Sequence, residues 1–408
     1  MKKNLLTLFL ALGLLATTSI SCSSDDNSSE IVQSKSSVLK LSFKAENIKS
    51  YDNVVLELVE TNSGVKTTKI VTQNTLEFPI DKGSYKISIN GKVTLTSGEQ
   101  MEIGGNSSID LIQETQSLSI DLILKVFSED FIIEEVFFTG VRTLEGKLYT
   151  GGRYFKLTNN TDKVLKTGGL LICQSEFFNT VNHNVTPNIV NSDFGVQAVL
   201  MIPKEHSKDV EPGDFIVVAD MATNHKKANI PAFDLSKADY EFPNLDNPKL
   251  GQVDNPAVPN AKVIYSTMNF NMFFLNDRGA ESYALARFPE NVTVQTWLTE
   301  YTYDYEYLNK AGNITKKKTY RIPNSWILDG VNSSPTEKWV HNTLGASLDA
   351  GWTGVGTIDS DPSRYGKSIR RKVVGKMQNG KNMYKDTNNS TVDFMRDSEV
   401  SLASGIVH

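Results

Sequence analysis

Two cysteines, Cys22 and Cys173, are all that this 408-residue chain contains. A disulfide framework is thereby excluded, as is a cysteine-built zinc site, which needs several thiolates. Cys173 ends the apolar run Leu170-Leu171-Ile172-Cys173, where a lone thiol without a neighbouring cation behaves as a small buried hydrophobe. The five histidines, His183, His206, His225, His341 and His408, never approach the H-x-x-x-H spacing of a metal-binding helix. No G-x-S-x-G nucleophile turn is present, and Met101-Glu102-Ile103-Gly104-Gly105-Asn106 lacks the lysine of a phosphate-binding loop. Basic clusters are equally scarce. Lys316-Lys317-Lys318 and Arg370-Arg371-Lys372 are three residues each, too short for the basic face that a nucleic-acid partner requires. The inventory yields no catalytic set, no metal and no cofactor, so the expectation is a non-enzymatic protein.

What the N-terminus does contain is an export signal. Lys2 and Lys3 form a positive end, Leu5 to Ala16 an apolar stretch, and Thr17 to Ser21 a mostly small, polar cleavage region. The apolar stretch falls short of the ~20 residues that span a bilayer as a helix. Ser19-Ile20-Ser21-Cys22 resembles a bacterial lipobox, departing from it by Ser19 where leucine is commonest. The competing reading is an ordinary signal peptide with an incidental Cys22. As a lipobox, residues 1–21 are removed and the Cys22 thiol carries a diacylglycerol thioether. One acyl chain binds a membrane only marginally, whereas two or more hold stably. The following Ser23-Ser24-Asp25-Asp26-Asn27-Ser28-Ser29-Glu30 is too polar to fold. Residues 22–36 therefore read as a flexible acidic tether. The segment also resembles the acidic surface-export signal of Bacteroidota lipoproteins, which implies the outer face of the outer membrane.

Without Lys2 and Lys3 the chain has 40 basic against 47 acidic residues, a net of −7. Its length exceeds one ordinary core, so two or more domains are expected. Strand signals dominate: Val38 to Ala45, Val54 to Glu60, Lys69 to Thr72, Leu76 to Ile80, Tyr85 to Asn90, Ser107 to Ile112 and Ser117 to Val126. Asn62-Ser63-Gly64, Asp81-Lys82-Gly83 and Asn90-Gly91 read as turns. Leu76 to Ile87, with its Gly83-Ser84-Tyr85 turn, resembles the transthyretin or carboxypeptidase-regulatory sandwich, assigned here to residues 37–127. A second unit, 131–408, resembles a lamin-tail domain in four places: Tyr154 to Leu165, Val210 to Ala219, Gly366 to Arg371 and Asp386 to Phe394. Asn269 to Ala286 reads as a strand pair turning at Asn276-Asp277-Arg278-Gly279, and 174–200 and 300–355 read as long insertions. The resemblance implies an all-β chain of two β-sandwich domains, the second immunoglobulin-like. The combination is similar to an uncharacterised Bacteroidota lipoprotein family, which implies no particular activity.

Three constellations invite chemistry. Trp297, Tyr301, Tyr303, Tyr305 and Tyr307 share one face if the segment is a strand, with Lys310-Ala311-Gly312-Asn313 as the turn and Ile314 to Ile322 as the return. Glu306 then faces a residue near Lys317, and Tyr303 one near Tyr320. Cross-strand packing explains such a stripe. Its functional alternative is an aromatic platform for a sugar or another flat ligand. Trp326, Trp339 and Trp352 mark the same region as specialised. Asp220 and His225 follow the apolar Val217-Val218-Ala219 and could form a catalytic pair, though polar surface explains them equally. Asp386, Asn388, Ser390 and Asp393 offer oxygen ligands, but Thr391 stands where a calcium loop needs glycine, so a structural turn is the simpler reading.

Three functions compete: a surface lipoprotein that binds a ligand or partner, serving as companion of an outer-membrane transporter; an adhesive or structural spacer; and a hydrolase with its site in the two insertions. The first is the expectation, with the lipid anchor as its contact to the membrane.

Overall fold

The computed structural model describes residues 36–45, 48–96, 100–124, 128–226, 231–243 and 251–408. Cys22, the export signal and nearly all of the tether lie outside the described residues.

Strands β1 (Ser36–Lys44), β2 (Ile48–Glu60), β3 (Lys66–Val71), β4 (Thr75–Asp81), β5 (Gly83–Leu95), β6 (Gln100–Leu111), β7 (Thr115–Asp121) and β8 (Ile123–Leu124) build a first sandwich. One sheet has the order β4-β1-β7, the other β3-β2-β5-β6-β8. Alternation drives the packing: Leu39, Leu41 and Phe43 of β1 and Val54, Leu56 and Leu58 of β2 point into one core, with polar residues between them. Asn90-Gly91 does not turn the chain. Strand β5 runs straight through it, because Gly91 sits against the backbone of β2 where that strand bulges. A Cβ at Gly91 would lie 2.1 Å from the Asn53 carbonyl oxygen, so the residue is glycine for close approach rather than for a turn.

The second unit follows with β9 (Phe131–Phe137), β10 (Val141–Arg142), β11 (Leu148–Tyr149), β12 (Tyr154–Asn159), β13 (Leu165–Lys166), β14 (Leu170–Phe178), β15 (Asp193–Met201), β16 (Asp209–Val210), β17 (Phe215–Ala219), β18 (Tyr240–Glu241), β19 (Lys262–Ser266) and β20 (Glu281–Arg287). A short helix α1 (Val294–Glu300) precedes β21 (Thr302–Leu308), β22 (Ile314–Pro323), β23 (Ile327–Asn332), β24 (Lys367–Arg371), β25 (Val373–Lys376) and β26 (Asn382–Tyr384). The chain closes through α2 (Ser390–Asp393) and β27 (Phe394–Glu399). A sheet ordered β18-β17-β12-β9-β24-β27 faces one ordered β21-β22-β15-β14-β20-β23, with β19 also on β15. Phe131, Ile133, Phe155, Leu157, Ile172, Tyr283 and Leu285 fill the space between them. The chain is all-β, as expected.

Both sheets are also covered on the outside. Ala222, Phe233, Leu235, Leu402 and Ile406 blanket one, and Trp297, Phe194, Ile322 and Leu344 form the core outside the other. Double burial explains why every residue of β9 and β12 is buried and why their sequences run apolar without alternation. The polar exceptions are matched: Glu134 accepts from Lys156 at 2.8 Å and from Thr158 at 2.6 Å.

Several expectations are corrected. The stretch from Trp297 to Tyr307 is not one strand: residues 294–300 form α1, capped by the Thr293 hydroxyl, which accepts from Thr296 N–H at 3.1 Å. The expected hairpin does form, with Glu306 opposite Lys316 and Tyr303 opposite Thr319. Only the last third of Asn269–Ala286, from Glu281, is strand. Residues 269–271 make a 3-10 turn, and Phe273 and Leu275 enter the core from a loop. That loop's carbonyls are satisfied by side chains, Phe274 by Gln174 at 3.0 Å and Leu275 by Arg153. Segments 174–200 and 300–355 are not appended to a finished sheet. They supply part of β14, all of β15 but Met201, and β21, β22 and β23, hence much of the seven-stranded sheet itself.

Candidate functional site

Where the two segments meet, a cavity of about 270 Å³ opens at the β21 edge of the seven-stranded sheet. Its floor is Gly195 of β15 with the rings of Phe177 and Tyr303. Its rim is the 179–192 loop, and its third wall the segment His341-Asn342-Thr343. The loop is bolted down at its middle and at its N-terminal end. Thr186 N–H donates to Glu306 O and Glu306 N–H donates back to Thr186 O, each at 2.9 Å, which extends the sheet past its edge strand. At the N-terminal end the buried Asn179 side chain donates to Ser333 O at 2.8 Å and accepts from Thr343 N–H at 3.0 Å. Asn332 accepts from Leu344 N–H at 3.0 Å and donates to the Asp349 carboxylate, also at 3.0 Å. This buried network fixes the third wall before any ligand arrives.

The tyrosine stripe divides. Trp297 is fully buried, its indole N–H donating to Arg321 O at 2.9 Å. Tyr301 packs on Trp326 with ring centroids 4.7 Å apart. Both belong to the packing outside the sheet. Tyr303, Tyr305 and Tyr307 form a stacked ladder, 5.1 Å and 6.2 Å between successive rings. Phe177 covers Tyr305 at 5.1 Å and His183 covers Tyr307 at 4.7 Å. Tyr303 donates to Pro187 O at 2.6 Å, and burial with nearby Glu176 pushes its hydroxyl up to about 12. Tyr305 donates to Glu176 at 2.7 Å; burial raises both groups. The ladder is thus a wall of the cavity, reaching it only through Tyr303.

The polar groups at the cavity are chiefly neutral. Asn182 accepts from Asn184 N–H at 2.8 Å, which holds Asn184 in the left-handed region at φ 49°. Asn188 accepts from Val190 N–H at 3.1 Å. Among the described residues, the amide NH₂ groups of Asn182 and Asn188 and the entire Asn184 side chain make no bond within the chain. His341 Nε2 lies 3.1 Å from Phe178 O and 3.0 Å from Val181 O. Two carbonyls require that nitrogen to carry the proton, which leaves Nδ1 an acceptor in the neutral ring. Asp193, the one carboxylate at the cavity, is matched by Arg321 and by Ser192 at 2.6 Å.

A second cavity of about 240 Å³ is lined by Arg153, Asp220 and Phe274. Its charges are spent on one another. Asp220 accepts from Gly152 N–H at 2.9 Å and pairs with Arg153 at 3.4 Å, while burial raises its carboxyl. The Arg153 guanidinium lies 4.3 Å over the Phe274 ring. His225 is buried nearby, bonded to the Tyr149 hydroxyl at 2.7 Å and to Met221 O at 3.0 Å. Asp220 and His225 therefore stand in one region without being joined as a dyad.

The oxygen-rich 386–393 loop is organised by a guanidinium. Arg371, 1% exposed, grips Asp329 through Nη2 at 2.8 and 2.7 Å and reaches Asp386 at 3.1 Å and Asp393 at 3.6 Å. Asp393 also accepts from Thr387 and Asn389 N–H at 2.9 and 3.1 Å. Among the described residues no three side chains of the His, Cys, Asp and Glu kinds gather as a metal site.

Sequence reasoning did not single out Asn182, His183, Asn184, Asn188 or His341 as a site. The available signal was the density of asparagine in Asn179–Asn188, a ten-residue stretch between two strands.

A model of the family described as "Protein of unknown function (DUF4876)" matches residues 211–401. Among solved structures, the chain is similar to a DUF4876 family protein from Bacteroides thetaiotaomicron VPI-5482, at 22% identity over 89% of this chain and 95% of that one, with a TM-score of 0.60. That likeness supports the fold. A candidate adhesin from Bacteroides ovatus ATCC 8483 aligns at 9% identity over 71% and 83% of the two chains, with a TM-score of 0.19, too low to carry an argument. No curated protein matches. The family model, which spans less than half of the chain, supports the expectation of an uncharacterised family; the combination of modules is not tested by it.

Proposed function

We propose that this chain is a lipid-anchored surface protein that holds a small polar ligand in the cavity between segments 179–192 and 339–343 and does not transform it. The observation that carries the reading is the cavity's chemistry: an aromatic floor under the exposed amides of Asn182, Asn184 and Asn188, whose NH₂ groups make no bond among the described residues. Such groups are the few oriented polar contacts of a binding pocket. The two histidines are positioned by carbonyl contacts and ring packing, and the single carboxylate is neutralised. That arrangement supports binding without catalysis.

Anchoring rests on the lipobox-like Ser19-Ile20-Ser21-Cys22 and the acidic stretch behind it. Among the described residues no helix is long and apolar enough to cross a membrane. A lipidated Cys22 at the outer face of the outer membrane would present the cavity to the exterior, where a transporter could receive its ligand.

Gly195 provides the test. A Cβ there would meet Phe177 and Tyr303 at 3.5 Å, ordinary contact distance, so Gly195→Val puts two methyl groups into the cavity while leaving a strand-favouring residue in β15. Thermal-shift screening of the detergent-solubilised full chain against monosaccharides, nucleosides, amino acids and short peptides should find compounds that raise the wild-type midpoint but not that of Gly195→Val. Equal shifts in both proteins, or none in either, would place the ligand elsewhere or leave a spacer as the function.

A further inference from the structure

Trp339 and Trp352 lie face to face beside this cavity, ring centroids 5.4 Å apart and planes within 6°. The Arg396 guanidinium caps the far side of the pair, 4.6 Å over the Trp352 ring. The inner face of Trp339 is therefore filled. Yet the residue keeps 40% of its surface exposed. Its orientation is not left to chance: the indole N–H donates to Asn342 Oδ1 at 2.9 Å, and Asn342 donates to Gly351 O, also at 2.9 Å. Val340 N–H, next in the chain, donates to Asn179 O at 2.8 Å. A large aromatic held by these bonds, 40% exposed and joined by Asn342 to the cavity wall, offers a stacking surface.

The cavity chemistry selects that occupant. An anionic ligand would want a cation, and among the described residues no lysine or arginine lines the cavity. A cationic ligand would want a free carboxylate, and Asp193 is matched by Arg321 and Ser192. A flat apolar molecule would bury the asparagine amides without partners, at a cost for each. What remains is a neutral molecule with groups that donate and accept by turns, and with an apolar face to lay on an indole. Hydroxyls satisfy both the Asn182 and Asn188 NH₂ donors and the His341 Nδ1 and Asn184 Oδ1 acceptors. A pyranose ring has such hydroxyls at its edge and C–H bonds on its face.

Resting on the cavity reading of the preceding section, we infer that the ligand is an uncharged glycan, with one sugar ring stacked on the exposed part of Trp339 and a neighbouring ring in the cavity.

Native affinity electrophoresis of the full chain tests this, with dextran, mannan, xylan and laminarin as uncharged probes and polygalacturonate and heparin as charged ones. At least one uncharged polysaccharide should retard the wild-type protein. Trp339→Ala should weaken that retardation at least tenfold and Trp339→Phe less, with both variants keeping the wild-type circular dichroism and melting midpoint. Retardation by the charged polymers alone, by none, or equally for wild type and Trp339→Ala would overturn the assignment. If the uncharged polymers fail while Gly195→Val still abolishes a thermal shift by another compound, the glycan assignment falls and the cavity stands. If Gly195→Val changes nothing, both fall.

Discussion

Glu281 opens strand β20 with 1% of its surface exposed, and its Oε2 has no hydrogen-bond partner among the described residues. Burial is the main reason that its carboxyl is pushed up from 4.5 to about 7; the Asn276 side chain and backbone N–H groups oppose the rise without cancelling it. The sign of the consequence follows from linkage. Below about pH 4.5 the group is protonated folded and unfolded, and contributes no difference. Between pH 4.5 and 7 the folded protein keeps a proton that the unfolded chain releases, so stability falls as pH rises. Above pH 7 the full penalty of a buried carboxylate is in place. At 1.36 kcal/mol per tenfold in proton affinity, that penalty is about 3 kcal/mol. Glu281→Gln removes the titration while keeping the shape. Urea unfolding of both proteins at pH 4 and pH 8 isolates the effect, because the other titrating groups cancel in the comparison. The variant should gain roughly 3 kcal/mol on wild type between the two pH values. A difference between the proteins that does not change with pH, or that moves against the variant at pH 8, would refute the reasoning.

Trp297→Ala empties a fully buried site and should cost about 3–5 kcal/mol in urea unfolding; a loss near zero would restore Trp297 to the ligand surface. Gly91→Ala drives a methyl group into the Asn53 backbone and should destabilise the first sandwich by about 3 kcal/mol, read as a lower midpoint for that unit in calorimetry. An unchanged midpoint would contradict the close approach. Cys22→Ala should move the protein from the membrane fraction to the soluble fraction, and unchanged fractionation would remove the anchor.

Strand existence was legible because period-two alternation is a local signal: β1 and β7 follow it residue by residue, and β2 from Val54 on. The four lamin-tail-like stretches fall on or beside β12, β17, β24 and β27 of one sheet. Three things were not legible, each for a non-local reason. Asn90-Gly91 carries turn chemistry, but the contact that demands glycine lies on β2, far away in sequence. The odd-numbered aromatics from 297 to 307 suit a strand, but α1 forms because Trp297 has an outer sheet face to bury against. The cavity joins residues more than a hundred positions apart, through Asn179, Ser282, Asn332 and Thr343, and no single window of sequence shows such a network. Of the aromatic stripe, Tyr303 alone lines the cavity among the described residues. The polar residues facing it are chiefly the asparagines and histidines of its rim, whose side chains have no periodic pattern.

The most direct measurement of the central claim is the dissociation constant of the best-binding uncharged oligosaccharide for wild type and Gly195→Val, by isothermal titration calorimetry on detergent-solubilised full chains. A binding cavity between the two segments predicts at least tenfold weaker binding by the variant, with melting midpoints unchanged. Equal dissociation constants for the two proteins would contradict it.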